Sequence, residues 1–407
     1  MDEWLLCPMV GEVINNKAVV IHELRDKNVF LYVQIEQKEK VLVTTNDIGP
    51  TKTILSFSYP SIYQIYWYIG HKIIYTHKIY NCYKDKLIVV SCDKPEMDTR
   101  HSLWKMMHNE IKDNNVAILH LGDQVYADDE YAQCKKLQKK HLKRANNDDH
   151  LISSYYHLYA SRYHKTYKTH YNILSNTSNY YIWDDHELHN DAIMNKDDNV
   201  DLMAIACYKD YQAFQVEEQY FINDYCWYKM INNIMVITIE RTSEIISVEK
   251  IIKYVTPIIK NINKIILSFT SSIVPPPHHL SGLLYTSIMR TDKFYPKDKL
   301  ILLLDWLFSL EQEVILLGGD LHLGILGYYR KLDKTIPVII ASPITNNPSL
   351  DRKVIAMGYD DVFYLDHGIT FCCRSAKAKR CYGVVDLDTF TTSIVYSRFT
   401  YSKHILH

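Results

Sequence analysis

Side chains that suit metal ions follow four separate apolar runs of this sequence. The four groups are Ser91-Cys92-Asp93; Gly122-Asp123 with Tyr126 and Asp128; Asp184-Asp185-His186-Glu187 with Asn190 and Asp191; and Gly318-Gly319-Asp320 with His322. Carboxylates packed together would repel one another and be costly to bury unless cations lay between them. Carboxylate and amide oxygens and imidazole nitrogens suit hard or borderline ions. The residue types therefore predict a site for two or three metal ions.

The same residues indicate which chemistry such a site would carry out. Cys92 and Tyr126 bind metals best as anions, which favours a ferric ion beside them. Two ions a few ångströms apart can activate a water molecule and stabilise both the attacking and the leaving oxygen of phosphoryl transfer. We therefore expect a metal-dependent hydrolase of phosphate esters.

The apolar runs that precede these groups predict the elements that position them. Short, continuously apolar runs alternate with amphipathic segments from about Lys86 onward, which is typical of strands buried on both faces with covering helices. The predicted strands are 87–90, 116–121, 180–183, 234–239, 265–269, 314–317 and 338–341, and the predicted helices are 102–112, 152–167, 202–221 and 297–310. Open α/β sheets bind ligands beyond the carboxyl ends of their strands. The four groups should therefore meet in one crevice.

The residues before about Lys86 differ from this pattern. Short β-rich runs at 18–21, 29–33, 41–43, 54–57 and 65–68 are separated by polar turns, which predicts a small antiparallel sandwich. This part carries no cluster of metal ligands, and we interpret it as a packing or substrate-positioning module. Residues 131–150 are rich in Lys, His, Asn and Asp and are expected to form a solvated insertion or lid.

Composition narrows the class of protein and its location. The chain has 407 residues with 46 basic and 47 acidic side chains, so no global field would attract nucleic acid or an anionic membrane. The N-terminus lacks the pattern of a secretory signal, and no apolar stretch is long enough for a membrane span. The nine cysteines show no framework spacing and are expected to be reduced. These features predict a cytoplasmic protein, and its oligomeric state is left open.

Single members of the four groups also have an ordinary structural explanation. A single Gly-Asp pair after a strand usually marks a turn, and acidic residues in a first helical turn are ordinary. Turns do not explain why four strand ends carry metal-ligand types together. The functional interpretation is therefore preferred.

The motifs, in this order, resemble the PhoD-like alkaline phosphatase and phosphodiesterase family, a branch of the calcineurin-like metallophosphoesterases. The resemblance covers roughly residues 86–345, and its most specific block is Trp183-Asp184-Asp185-His186-Glu187. It implies a four-layer αββα catalytic domain. We accordingly expect an N-terminal sandwich over residues 1–85 and a PhoD-like catalytic domain over residues 86–407.

The resemblance also implies roles for single residues. It places Cys92, Asp123, Tyr126 and Asp320 around a ferric ion, and it assigns Asp185, Asn190 and His322 to further metals such as calcium, with Zn²⁺ or Mn²⁺ as alternatives. His186 takes the position of a histidine that protonates the leaving oxygen, and Arg241 that of an arginine that clamps phosphate, with pairing to Glu240 as its alternative. Asp184 and Asp191 are expected to support the ligands by hydrogen bonding, and Asp93 and Asp128 are expected either to bind metal or to give the same support.

The predicted reaction is hydrolysis of a small phosphate diester or monoester, in which a metal-activated hydroxide attacks phosphorus in line. One alternative is an enzyme like the purple acid phosphatases, which share the Gly-Asp-x-x-Tyr pattern. Against it stands the ending Gly319-Asp320-Leu321-His322, where that group would show Gly-His-x-His. The other alternative is an inactive relative that binds a phosphorylated ligand. Retention of ligand types in every motif argues against that.

Overall fold

The chain forms a mixed α/β fold with several sheets, as expected from the alternation of apolar runs and amphipathic segments. The computed structural model describes residues 3–98, 100, 102–111, 115–142, 148–192, 194–195, 197–213, 226–240, 247–277, 296–359, 362–397 and 401–402. All structural statements below concern these residues.

The strands run from one end of the chain to the other. They are β1 (Trp4–Ile14), β2 (Lys17–Leu24), β3 (Leu31–Ile35), β4 (Val41–Val43), β5 (Thr51–Ser56), β6 (Ser61–Ile69), β7 (Lys72–Asn81), β8 (Lys86–Val90), β9 (Val116–Leu121), β10 (Ser178–Ile182), β11 (Trp227–Ile231), β12 (Ile234–Ile239), β13 (Lys264–Phe269), β14 (Glu313–Gly318), β15 (Gly324–Lys331), β16 (Lys334–Ala341), β17 (Val362–Tyr364), β18 (Thr370–Lys377), β19 (Cys381–Asp386), β20 (Thr391–Tyr396) and β21 (Tyr401–Ser402).

The helices lie between the strands of the larger sheets. They are α1 (Ser102–Ile111), α2 (Asp128–Leu142), α3 (Asp148–Lys168), α4 (Tyr171–Leu174), α5 (Asn199–Tyr211), α6 (Val248–Ile259), α7 (Lys297–Ser309) and α8 (Leu350–Met357).

Two large sheets contain the strands that precede the four motif groups. One has the order β10-β9-β8-β19-β20-β21, and its first three strands are parallel. The other has the order β11-β12-β13-β14-β16-β15-β18-β17, with β12, β13, β14 and β16 parallel. Because parallel strands end on the same edge, β8, β9 and β10 deliver their following residues to one place.

Side-chain alternation along these strands explains the packing of the two sheets. Val89, Leu119, Val236, Ile266 and Leu317 belong to one apolar cluster that draws residues from both sheets. Their sequence neighbours face the other way and pack against helices. Ile237 and Ile265 join α6 and α7 in a second cluster, and Ile88 and Ile118 join α1 in a third.

The strands near the N-terminus form two smaller antiparallel sheets. Their orders are β1-β2-β5 and β4-β3-β6-β7. The two sheets share an apolar cluster that includes Trp4, Val20, Leu31, Ile65 and Trp67. The predicted β-rich character of this region is therefore confirmed, although the sequence pattern missed β1 and β7.

The predicted solvated segment at 131–150 is wrong for its described part. Residues 131–142 continue helix α2, and Cys134 is buried in a cluster with α3 and α5. The basic residues of this segment suit the end of the helix, and the acidic residues just before it suit the start. Asp128, Asp129 and Glu130 occupy its first turn, and Lys139, Lys140 and His141 its last, which matches the helix dipole.

Two further features concern the chain as a whole. No disulfide bond joins any two of the nine cysteines, all of which lie among the described residues. Among the described helices, none combines the length and the apolarity that a membrane span needs.

A buried ion pair connects the N-terminal sheets with the large sheets. Glu12 lies on β1 and Lys229 on β11, and their side chains are 2% and 1% exposed. Asn179 at the start of β10 also donates to the Val10 carbonyl at 2.8 Å. Since neither charge reaches solvent, the pair contributes to the electrostatic compensation of both.

We expect Lys229→Met to lower the free energy of unfolding by about 3–5 kcal/mol, because it leaves the Glu12 carboxylate buried without its cation. The double variant Glu12→Gln with Lys229→Met removes both charges and should recover part of this loss. Urea unfolding of the three chains measures both effects. A double variant that recovers none of the stability lost in Lys229→Met would contradict the pairing.

Candidate metal centre

The ends of four strands converge, as the sequence predicted. Cys92 follows β8, Asp123 follows β9, Asp184 and Asp185 follow β10, and Asp320 follows β14 of the other large sheet. The backbone holds the first two loops together, since the N–H of Asp93 donates to the carbonyl of Asp123 at 2.8 Å.

The first ligand group consists of Cys92, Asp123, Asp320 and His322. Each offers one ligand atom, and all four atoms lie within 4.8 Å of one another. Tyr126 lies beside the group, with its hydroxyl 3.4 Å from Oδ2 of Asp123. Burial raises the pKa of Tyr126 well above its usual value, and the charges of Cys92 and Asp123 act in the same direction. The four residues expected around a ferric ion therefore lie close together, and His322, which was expected at a further metal, lies with them.

The second ligand group consists of Asp123, Asp184 and Asp185, again with one ligand atom each within 4.8 Å. Asp123 belongs to both groups, which makes it the shared residue of the centre. Asp184 was expected in a supporting position, and the structure places it among the candidate ligands. Asp184 lies two residues beyond the end of β10 and is buried at the strand-end crevice.

The backbone of the first group is unusual. Cys92, Asp123, Asp320 and His322 all have positive φ angles, between 52° and 56°. This left-handed conformation costs a residue other than glycine about 1–2 kcal/mol. Such conformations persist where the surrounding structure holds them and cluster at functional sites. The four ligand atoms converge because the chain turns sharply at each ligand.

Two glycines permit the close approach of the loops. Gly122 has a φ of 77°, and a Cβ atom there would lie 2.5 Å from Cβ of Asp184. A Cβ on Gly319 would lie 2.7 Å from the carbonyl oxygens of both Leu121, the last residue of β9, and Thr270, which follows β13 of the other large sheet. Larger residues at these positions would push the ligand loops apart.

Glu187 joins the loop after β9 to the loop after β10. Its fully buried carboxylate accepts N–H groups from Gln124 at 2.7 Å, Asp184 at 2.8 Å, Asp123 at 3.1 Å and Val125 at 3.3 Å. Burial, then the charge of Asp123, raise the pKa of Glu187, and the backbone donors act in the opposite sense. Glu187 stands in the most specific motif block, but its residue type and spacing did not predict this role.

His186 lies at the mouth of the centre. Its Nδ1 is 3.0 Å from Oδ2 of Asp128, and its ring centroid is 4.1 Å from that of Tyr126. Burial lowers the pKa of His186, but the charge of Asp123, the hydrogen bond to Asp128 and the charge of Asp185 outweigh it and raise the pKa to about 9. Asp128 therefore orients the imidazole, a function that the sequence left open between metal binding and support.

The remaining predicted residues occupy more peripheral positions. Asn190 is exposed, and its amide donates to the Asp191 carboxylate at 2.6 Å, while its backbone N–H donates to Asp128 at 2.7 Å. The backbone N–H of Asp191 donates to Asp185. Asp191 thus contacts Asp185 through its backbone, and both its supporting role and the metal-ligand role of Asn190 stay predictions.

Asp93 points away from the ligand groups into the protein. Its carboxylate accepts from Thr345 Oγ1 at 2.9 Å and from Trp104 Nε1 at 3.3 Å, and it lies 3.1 Å from His170 Nε2. These contacts anchor the loop that carries Cys92.

The loop after β16 completes the centre. Ser342 Oγ donates to Cys92 Sγ at 3.1 Å and accepts the His322 N–H at 3.0 Å, so it connects two ligands of the first group. Asn346 donates its amide to the Tyr126 hydroxyl at 3.2 Å. Sequence spacing alone did not identify Ser342. Arg241 lies outside the described residues, so its predicted role as a phosphate clamp stays a prediction.

The donor set fits metal ions. Cys92, Asp123, Asp184, Asp185 and Asp320 are all buried, and as anions they would repel one another strongly at these separations. Cations between them remove that repulsion. A thiolate, a phenol and an imidazole next to three or more carboxylates suit a harder and a softer ion side by side.

Comparisons with known proteins agree with this interpretation. Residues 87–220 match the family model described as PhoD-like phosphatase, which covers β8 to the region beyond α5. A search of curated proteins finds no match to the sequence. The resemblance predicted from the motifs is confirmed by the family match, and with it the prediction of a phosphatase enzyme.

Two solved structures share the fold. A structure of PhoD matches with a TM-score of 0.63 and 12% identity, covering 99% of this chain and 94% of that one. The purple acid phosphatase PPD1 from seeds of yellow lupin (Lupinus luteus) matches with a TM-score of 0.58 and 8% identity, covering 95% of this chain and 69% of that one. At these identities the matches show similarity of fold.

We expect Gly122→Ala to lower the free energy of unfolding more than Gly70→Ala. Both glycines have positive φ, so both variants bear the conformational cost of about 1–2 kcal/mol. No atom lies within 4 Å of a Cβ on Gly70, whereas the Gly122 variant also overpacks against Asp184, which should add about 1–3 kcal/mol. If urea unfolding shows the same loss of free energy of unfolding for both variants, the loops around Gly122 move apart without an energetic cost.

We expect Glu187→Gln to lower the free energy of unfolding by about 2–6 kcal/mol, because the new amide nitrogen cannot accept from two of the buried N–H groups and each unsatisfied donor costs about 1–3 kcal/mol. Glu311→Gln, on an exposed glutamate, is the matched control. Thermal and urea unfolding compare the two. If Glu187→Gln behaves like its control, a single carboxyl oxygen is enough to hold the loops.

Proposed function

We propose that this chain, which shares the PhoD-like phosphatase motifs, is a metal-dependent hydrolase of phosphodiesters or phosphomonoesters. The observation that carries the proposal is the position of Asp123 in two adjacent ligand groups. A carboxylate shared in this way fits two cations side by side, an arrangement used for in-line displacement at phosphorus. The family match supports a metallophosphoesterase and leaves the substrate to experiment.

The proposed metal sites start from the two ligand groups, while His322, which lies in the first group, and the exposed Asn190 keep the roles that the resemblance implies. Cys92, Asp123, Asp320 and Tyr126 would hold one ion, with Fe³⁺ favoured by the thiol and the phenol. Asp185, Asn190 and His322 would serve a second or third ion such as Ca²⁺, with Zn²⁺ or Mn²⁺ as alternatives, and Asp184 is added to this set by its position. When bound, such ions would supply Lewis acidity to the phosphoryl oxygens and lower the pKa of a coordinated water.

His186 is the proposed proton donor to the leaving oxygen. The Asp128 carboxylate binds its Nδ1 and fixes the orientation of the ring, which leaves Nε2 to face a substrate. The contact with Tyr126 keeps the imidazole next to the first ligand group. Arg241 is proposed to bind the phosphoryl group, a role that follows from its position in the motif order.

The finer architecture is part of the same proposal. We infer a four-layer αββα catalytic domain over residues 86–407, which is supported by the apolar cluster shared between the large sheets and by the helices on their other faces. An N-terminal sandwich over residues 1–85 is supported by the cluster that its two small sheets share. The cytoplasmic location stays a prediction from the sequence.

The fold match to a purple acid phosphatase keeps that group as the second candidate. The ligand set distinguishes the two, because Cys92 belongs to the first group and Asp320 stands where the purple enzymes would have a histidine. Metal analysis and substrate preference would separate them. A ferric–tyrosinate absorption band would be common to both.

The experiment that tests the proposed function is metal analysis of the wild type, Asp123→Ala and Asp388→Ala by mass spectrometry, with hydrolysis of bis-p-nitrophenyl phosphate measured in parallel. We expect two or more ions per wild-type chain and hydrolysis that a chelator abolishes. Asp123→Ala should lose both, because Asp123 serves both ligand groups. Asp388→Ala, on an exposed residue, should retain both.

Two results would contradict the proposal. One is well-folded wild-type protein that retains no metal and cannot be reconstituted. The other is a metal-loaded chain that turns over no phosphate ester across several metals and pH values, which would favour the binding protein without catalysis.

A further inference from the structure

Lys94 stands next to the candidate metal centre and has no role in the function proposed above. It follows Cys92 and Asp93 in the loop after β8, and its side chain is half-buried. Its ammonium nitrogen lies 5.1 Å from the ring centroid of Tyr126, the residue whose hydroxyl contacts Asp123. A positive charge is therefore held at the edge of the first ligand group.

The acidic residues of the same loop all have other partners. Asp93 is bound by His170 and Thr345. Glu96 forms ion pairs with Arg162 at 2.6 Å and Lys165 at 2.8 Å. Asp98 pairs with Arg380 at 3.0 Å. Among the residues that the structure describes, no carboxylate lies within ion-pair distance of Lys94.

A half-buried ammonium without a counter-ion is unfavourable, since it loses part of its hydration. The face of Tyr126 offsets only part of that, because a cation–π contact contributes about 0.5–2 kcal/mol. Cations that bind between the metal ligands balance the negative charge of those ligands. That charge therefore does not also neutralise Lys94. Lys94 is thus suited to an anion that enters the centre together with the metals.

We propose that Lys94 binds the substrate phosphoryl group and favours doubly charged esters over singly charged ones. The inference rests on the proposed function and narrows its substrate class to phosphomonoesters and to diesters with a second negative charge beside the scissile phosphorus. The Coulomb attraction of one ammonium for a dianion is twice its attraction for a monoanion at the same distance. Lys94 is a specificity-determining residue in this scheme, while His186 and Arg241 serve the reaction itself.

The test compares two anions of similar size and different charge. Inorganic phosphate is a dianion at pH 8, and dimethyl phosphate is a monoanion. Calorimetry on metal-loaded protein gives the Kd of each for the wild type, Lys94→Met and Lys94→Arg. Lys105→Met is the control, because it removes one positive charge from an exposed site on α1.

We expect Lys94→Met to raise the Kd for inorganic phosphate about tenfold or more and the Kd for dimethyl phosphate less than about threefold. Lys94→Arg should retain the wild-type preference, and Lys105→Met should bind both anions as the wild type does. The KM for p-nitrophenyl phosphate should rise with the Kd for phosphate, that for methyl p-nitrophenyl phosphate should change little, and kcat should be nearly constant.

Other outcomes separate this inference from the proposed function. Equal changes for both anions, or none, would overturn the role of Lys94 even if the esters are hydrolysed. Unchanged Kd values together with a higher metal content in Lys94→Met would mean that Lys94 only balances the acidic ligands, which also overturns it. If the loaded wild type hydrolyses neither ester but Lys94→Met still weakens phosphate binding selectively, the hydrolase proposal fails and the Lys94 site stands.

Discussion

The geometry of the centre depends on one carboxylate that binds no metal in the proposed scheme. Glu187 accepts four backbone N–H groups, three from the loop after β9 and one from the loop after β10. Backbone donors that converge on a buried carboxylate fix the relative position of two loops more tightly than side-chain packing would. Asp123 and the pair Asp184–Asp185 lie on these loops, so the spacing between the two ligand groups follows from the Glu187 contacts.

Much of this arrangement could be predicted from the sequence, because the strands concerned are buried on both faces and continuously apolar. The predicted run 116–121 coincides with β9, and the residue types after four such strands pointed to one crevice. Contacts that depend on loop shape were not predictable in this way. Ser342 bridges Cys92 and His322 from a distant part of the chain, and no spacing rule connects them. Helix α2 was missed because its surface charges dominate its composition, while few of its residues, such as Cys134, are buried.

The N-terminal sheets contribute to the centre indirectly. Val10 accepts a hydrogen bond from Asn179, the second residue of β10, and Asn179 also contacts His120 of β9 at 3.2 Å. The Glu12–Lys229 ion pair holds β1 against β11 of the other large sheet. A strand that contacts both large sheets helps to keep their ends in register, so the N-terminal region supports the crevice without supplying a ligand to it.

The left-handed backbone at Cys92, Asp123, Asp320 and His322 limits which residues can evolve at these positions. Branched side chains are disfavoured there, whereas Asp, Asn and His tolerate this conformation best among residues other than glycine. Those three are also oxygen and nitrogen donors with different preferences for hard and borderline ions. Single substitutions among them would therefore change the preferred ion while the loops keep their shape. Proteins that descend from this one could therefore come to use other metals without an insertion into the main chain or a rearrangement of it.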